Sequence, residues 1–87
     1  MLLVMEGATL SLAHLASGRQ ARIESVHGGR GFVSRLAALG FVPGQEITMV
    51  QNYRRGPIIV VVKGARVALG RGEADRIIVQ EVREASQ

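Results

Sequence analysis

Apolar and polar residues alternate along several short stretches of the chain, and glycine or charged residues separate these stretches about every eight to twelve residues. Such alternation is typical of strands that bury one face. The pattern predicts five strands, at Gln20–Val26, Ile47–Val50, Pro57–Val62, Arg66–Leu69 and Ile77–Val82. In the first strand the alternation slips by one residue near Ser25, which predicts a β-bulge or a bend there.

One segment has helical rather than strand periodicity. Phe32, Leu36 and Leu39 share one face of a helix predicted over residues 32–39. Gly40 follows at the position where a helix C-terminus needs a positive φ. Shorter helical turns are predicted at Thr9–Ala16, where two leucines lie three residues apart, and at Glu73–Arg76.

Turn residues connect these elements. Pro43 and Gly44 suit the two central positions of a type II turn, because proline presets the first φ and glycine accepts the positive second one. Turn-forming residues at Asn52–Gly56 predict a hairpin between the second and third strands. The whole chain, residues 1–87, is therefore predicted to be a single domain of the mainly β class, a small five-stranded barrel with one or two short helices.

The strand Pro57–Val62 is apolar on both of its faces. Either the monomer covers the second face, or a second subunit does. We favour a monomer over a dimer, because small barrels curl their strands so that both faces are partly enclosed.

The composition of the chain restricts the classes of function that it can have. The chain has 87 residues, 47% of them hydrophobic, and no cysteine. A domain of this size has a thin core, which disfavours a large substrate pocket. The absence of cysteine excludes disulfides and thiolate chemistry and favours a cytoplasmic location. No apolar run approaches the length of a membrane span, and the apolar residues 1–5 lack the flanks of a signal peptide.

The candidate catalytic and metal-binding residue types lack the required spacing. His14 and His27 have no second ligand three or four residues away, the serines lack a nucleophile motif, and Gly28–Gly31 does not match a phosphate-binding loop. We therefore predict no enzyme activity and assign no catalytic, cofactor-binding or metal-binding residue.

The net charge of +4 comes from eleven basic residues, ten of them arginine, against seven acidic ones. Arginine favours bidentate contacts with carboxylate or phosphate, so an anionic partner is expected. An RNA-binding barrel is one alternative, since Tyr53 lies beside Arg54 and Arg55. Barrels that bind single strands use several stacking rings, whereas Phe32 and Phe41 are expected in the core, so nucleic acid is the less favoured partner.

An ordered set of motifs spans nearly the whole chain. It comprises Leu12-x-x-Leu15-x-x-Gly18, Ala21-Arg22-Ile23, Arg35-Leu36-x-x-Leu39-Gly40-Phe41-x-Pro43-Gly44, Pro57-Ile58, Gly64-x-x-Val67-Ala68-Leu69 and Glu73-Ala74-x-x-Ile77-x-Val79. In this set the sequence resembles the ferrous iron transport protein A (FeoA) family. The resemblance implies an SH3-like barrel that is cytoplasmic and non-enzymatic and that supports or regulates the membrane transporter FeoB from its cytoplasmic side.

Two exposed loops are the predicted contact sites for such a partner. One is the hairpin tip at Arg54, Arg55 and Gly56, and the other is the glycine-rich loop around Arg30. A second set of residues is expected to hold the fold: Phe32, Leu36, Leu39, Gly40, Pro43 and Gly44.

Overall fold

The computed structural model describes the backbone of residues 2–86 and the side chains of residues 7–82. Its strands are β1 (Leu2–Ser11), β2 (Gln20–Val26), β3 (Glu46–Gln51), β4 (Ile58–Val62), β5 (Ala65–Leu69) and β6 (Ile77–Ser86). The helices are α1 (Arg30–Ala38), α2 (Arg71–Ala74) and a single 3₁₀ turn at Leu12–His14. None of the helices in this described part of the chain is long and apolar enough to cross a bilayer.

The six strands form one antiparallel sheet in the order β1-β6-β2-β3-β4-β5. Its inner face carries most of the core, because alternate residues of each strand point to the same side. In β4, Ile58, Val60 and Val62 are buried, whereas Ile59 and Val61 are half-buried. The second apolar face of this strand is thus partly covered within the described chain.

The structure confirms the mainly β class and all five predicted strands, and it adds a sixth, β1. The helix predicted over residues 32–39 begins two residues earlier, at Arg30, and the helical turn predicted at Glu73–Arg76 lies instead at Arg71–Ala74. The pattern did not reveal β1, because residues 2–5 are apolar without alternation. Thr9–Ser11 belong to β1, so the helical turn predicted at Thr9–Ala16 shrinks to the 3₁₀ turn. Leu12 and Leu15, three residues apart, fit the three-residue period of that turn.

The predicted irregularities lie where the sequence placed them. The pairing of β2 with β6 shifts register between Ile23 and Ser25, as the slipped alternation indicates. Gly44 has a φ of +91°, in agreement with a type II turn, and its N–H donates to the carbonyl of Ile23 at 2.8 Å. This bond ties the Pro43-Gly44 turn to β2.

The end of α1 differs from the prediction at one residue. Leu36 is buried, but Leu39 follows the last helical residue and is 44% exposed. Gly40 has a φ of +104°, and the N–H groups of Gly40 and Phe41 donate to the carbonyls of Ala37 and Leu36. This paired pattern is a Schellman motif, which carries Phe41 into the core beside Leu36 in place of Leu39.

Candidate docking surface

The loop between β3 and β4, residues 52–57, is called the docking loop here. Tyr53 is 63% exposed, and Arg54, Arg55 and Gly56 are exposed as well. Gly56 has a φ of +83°, a conformation that favours glycine and reverses the chain at the tip. The structure thus presents all three predicted contact residues of this loop to solvent.

The first residue of the docking loop fixes its base. The Asn52 side-chain amide donates to the carbonyls of Ala13 at 2.9 Å and Leu15 at 2.7 Å. The backbone N–H of Asn52 donates to the Ser17 hydroxyl at 2.9 Å. The loop is therefore tied to the segment around the 3₁₀ turn, which lies more than thirty residues earlier in the chain.

Arg71, the first residue of α2, completes this base. Its Nη1 donates to the Tyr53 carbonyl at 2.6 Å, and its Nη2 donates to the Asn52 Oδ1 at 2.9 Å and to the Ala13 carbonyl at 3.3 Å. A guanidinium suits this role because its planar fork offers several donors in a fixed geometry. The Asn52 and Arg71 side chains thus link three separate segments of the chain.

Neither of the two base residues is recognisable from the sequence. The sequence predicts only that Asn52 belongs to a turn, and it gives no prediction for Arg71. No local signal identifies either, because their partners lie between 18 and 58 residues away in the chain. Only the folded sheet brings these groups together.

The second predicted contact site lies on a different element. Arg30 is the first residue of α1 and is exposed. No hydrogen bond or ion pair joins Arg30 to the docking loop in the described part of the chain. The two predicted contact sites thus belong to different elements, α1 and the loop between β3 and β4.

The glycine-rich loop before α1 is held by an aromatic ring. A side chain at Gly28 would place its Cβ 2.8 Å from Cδ2 of Phe32, and the φ of Gly28 is +149°. The guanidinium carbons of Arg35 and Arg76 lie 5.6 and 5.3 Å from the centroid of the same ring. The half-buried Phe32 thus packs under the loop while two cations contact its faces.

An ion pair connects α1 to α2. The Arg35 guanidinium donates to the Glu73 carboxylate, and the Gly70 N–H donates to Glu73 Oε1 at 3.0 Å. The Gly70 hydrogen bond, followed by the Arg35 contact, holds the pKa of Glu73 below its usual range. This carboxylate caps α2, as its place in the first helical turn suggests.

The two histidines each pair with a nearby hydroxyl. The Nδ1 of His14 lies 3.1 Å from the Ser11 Oγ, and the Nε2 of His27 lies 2.8 Å from the Ser25 Oγ. Among the described residues, no three histidine, cysteine or acidic side chains are grouped so that they could hold a metal ion.

Residues 10–81 of the chain match the FeoA domain family. A protein of Methanocaldococcus jannaschii, provisionally named Fe(2+) transport protein A, is 31% identical over 70 residues. The alignment covers 80% of this chain and 84% of that protein.

Solved structures agree with this match. A crystal structure described as the iron uptake regulatory protein FeoA is 30% identical, with a TM-score of 0.81 over 85% of this chain and 99% of that one. The FeoA of Stenotrophomonas maltophilia, crystallised with zinc and described as a prokaryotic SH3 domain protein, is 37% identical. It has a TM-score of 0.71 over 80% of this chain and 88% of that one.

Proposed function

The chain belongs to the FeoA family and has the SH3-like fold of that family, and from this premise we propose that it is a cytoplasmic, non-enzymatic accessory protein that acts by contact with a FeoB-like ferrous iron transporter. The observation that carries the proposal is the FeoA match, which runs from the end of β1 through the first half of β6. The Methanocaldococcus relative is named for Fe(2+) transport, and the Stenotrophomonas protein is described as a candidate activating factor for ferrous iron transport.

The docking loop supports contact as the mechanism. Arg54 and Arg55 are exposed at its tip, while Asn52 and Arg71 fix its base. A loop whose base is already ordered loses less conformational entropy on binding than a free loop does. Guanidinium groups pair with carboxylates in bidentate geometry, so the complementary surface is an acidic patch on the cytoplasmic side of the transporter.

Arg30 supports a second contact. It is exposed on the first turn of α1, whose entry loop is held by Phe32. Two basic features on one small barrel can engage two parts of a larger partner, which fixes the orientation of the accessory protein as well as its affinity.

RNA binding is the alternative, and the exposed ring of Tyr53 beside Arg54 and Arg55 favours it. The other two aromatic residues do not extend this platform. Phe41 is 1% exposed, and the half-buried ring of Phe32 contacts Gly28, Arg35 and Arg76. Because single-strand binding uses successive stacking rings, one available ring favours the transporter over RNA.

The test is a titration of the purified chain against the FeoB-like transporter of the same organism in nanodiscs. The variant Arg54→Gln/Arg55→Gln removes two positive charges from the loop tip. We expect its Kd to be about tenfold higher than that of the wild-type chain. Its melting temperature should match that of the wild type, because both side chains are exposed.

The control variant is Thr9→Glu/Gln20→Glu, which changes the net charge by the same amount at exposed positions on β1 and β2, away from both predicted contacts. It should bind like the wild-type chain. Equal weakening in both double variants would mean that only net charge matters, and no binding of the wild-type chain would refute the proposal. Tighter binding of the wild-type chain to an oligouridine than to the transporter would favour the RNA alternative.

A further inference from the structure

Charge is distributed unevenly along the chain. Residues 47–72 contain none of the seven acidic residues and five of the eleven basic ones. The basic residues are Arg54, Arg55, Lys63, Arg66 and Arg71. This acid-free segment (residues 47–72) supplies nearly all of β3, the docking loop, β4 and β5. The end of the sheet formed by β3, β4 and β5 is therefore basic, and β5 is its outermost strand.

β5 is an open edge of the sheet. Among the described strands it pairs with β4 alone, in an unbroken register from Ile58↔Leu69 to Val62↔Ala65. Ala65, Arg66 and Ala68 are exposed. The N–H and C=O groups that point away from β4 thus lie along a regular, accessible edge.

Few features protect this edge. Natural edge strands avoid pairing with other chains through bulges, proline or several charged residues. β5 has no proline and no register shift, and Arg66 is its single charged residue. The opposite edge strand, β1, does have a register shift, between Glu6 and Thr9. β5 is therefore the edge that is better suited to receive another strand.

The side chains on the two faces of β5 determine which residue types an added strand would need. Val67 is half-buried and Leu69 is buried on one face, whereas Arg66 and Ala68 are exposed on the other. Cations lie near both ends of β5. Lys63 is exposed in the turn between β4 and β5. The docking loop, with Arg54 and Arg55, joins β4 at Ile58, which pairs with Leu69 at the other end of β5. A complementary strand would alternate apolar residues, next to Val67 and Leu69, with acidic residues next to Arg66.

We propose that the outer edge of β5 receives an extended acidic segment of the transporter as an added strand of the sheet. This inference rests on the proposed function and names the part of the partner that is recognised. Backbone hydrogen bonds along β5 would supply affinity, while Arg66 and the neighbouring cations would select for acidic residues.

A second copy of this chain is the less suitable occupant. Pairing of two β5 strands about a two-fold axis would bring two acid-free segments side by side, with Arg66 and Lys63 of both copies in the same interface. Like charges in neighbouring strands destabilise the pairing. Charge complementarity thus favours an acidic partner over self-association.

The direct test is amide hydrogen exchange of the labelled full chain, measured with and without the transporter in nanodiscs. Amides of β5 that point away from β4 alternate along the strand. In the complex we expect exchange to slow by about tenfold or more at alternate residues of β5. A uniform small change over the whole chain would not meet this expectation.

A pair of proline variants provides an independent test. Ala65 and Ala68 are both exposed alanines of β5, and because they lie three residues apart, their N–H groups point in opposite directions. One of the variants Ala65→Pro and Ala68→Pro therefore loses a bond to β4, while the other loses only an outward donor. The variant that keeps nearly the wild-type melting temperature should bind the transporter at least about tenfold more weakly.

The outcomes separate this inference from the proposed function. In one outcome, transporter binding needs Arg54 and Arg55 while amide exchange in β5 stays the same and both folded proline variants bind with wild-type affinity. That result would overturn the added strand and keep the proposed function. Absence of any transporter binding would overturn both. Slow β5 exchange that depends on protein concentration without the transporter would identify a second copy as the occupant, and protection by an oligouridine alone would also overturn the inference.

Discussion

The two exposed loops of this domain are held in opposite ways. The glycine-rich loop before α1 rests on an aromatic ring, because Gly28 leaves just enough space for Phe32. The docking loop is instead held by polar side chains, Asn52 and Arg71, which donate to backbone carbonyls of the segment around the 3₁₀ turn and of the loop itself. One loop is fixed by local packing and the other by hydrogen bonds between residues that are distant in sequence.

This difference matters for function. Apolar packing under α1 is part of the same core that stabilises the domain, so the glycine-rich loop is coupled to the stability of the whole fold. The polar base of the docking loop lies at the rim, where single changes should alter loop order more than global stability. Residues at the tip of a loop with such a base can therefore be substituted without loss of the fold.

The largest expected effect is on the α1 side. Leu36→Ala removes a side chain that is 1% exposed, and we expect it to reduce the free energy of unfolding by about 2–5 kcal/mol. Leu39→Ala is the matched control, because Leu39 is 44% exposed, and its cost should stay under about 1 kcal/mol. Urea denaturation of both variants measures the difference, and equal losses would contradict the Schellman ending of α1.

Gly28→Ala tests the contact with the ring. The new Cβ would meet Phe32 at 2.8 Å in a backbone conformation that alanine rarely adopts. We expect a loss of about 1–3 kcal/mol in the free energy of unfolding. Gly29→Ala, whose Cβ would meet nothing within 4 Å, should cost less than about 1 kcal/mol, because Gly29 is the N-cap of α1 and alanine is a weaker cap. If the two neighbours behave alike in thermal melts, the ring does not hold this loop.

Asn52→Ala tests the polar base. It removes two donated bonds and the acceptor of Arg71, with an expected cost of about 1–2 kcal/mol in the free energy of unfolding. NMR order parameters should fall at residues 53–56 but not in α1. Arg54→Ala, which changes only the tip, should leave both quantities close to wild type. Unchanged order in the Asn52 variant would show that the loop is held by other groups.

The smallest expected effect concerns the ion pair between the two helices. The pKa of Glu73 is lower in the folded than in the unfolded chain, so its carboxylate stabilises the folded state. This contribution is fully present when the pH is above the unfolded pKa, and it is lost as the pH falls through the folded pKa. Glu73→Gln should cost about 0.5–1 kcal/mol at neutral pH, a modest amount because Arg35 is 59% exposed. The difference from wild type should shrink in acid, whereas a constant difference would contradict the assignment.

The comparison also shows what the sequence can predict. Alternation identified five strands, the bulge near Ser25 and the turn at Pro43-Gly44, because each of these depends on near neighbours. It missed β1, whose apolar residues do not alternate, and it placed Leu39 on the buried face of α1, although the chain reverses at Gly40. Periodicity cannot report where a helix ends when the cap brings the next aromatic residue into the core.

The sequence predicts only the exposed part of the candidate site. The exposed tip at Arg54–Gly56 and the exposed Arg30 agree with the sequence prediction, since charged turn residues seldom become buried. Their role as contacts stays a prediction. The base formed by Asn52 and Arg71 could not be predicted, because it depends on the register that brings β3, the 3₁₀ turn and α2 together.

The proposed function requires the charged tip of the docking loop, on its fixed base, to contact the transporter. The most direct measurement is the Kd for the transporter in nanodiscs at about 50 mM and about 300 mM salt, for the wild-type chain and for Arg54→Gln/Arg55→Gln. We expect wild-type binding to weaken steeply as the salt concentration rises, and we expect the variant to bind more weakly at low salt with a shallower salt dependence. Equal affinities and equal salt dependence for the two proteins would contradict it.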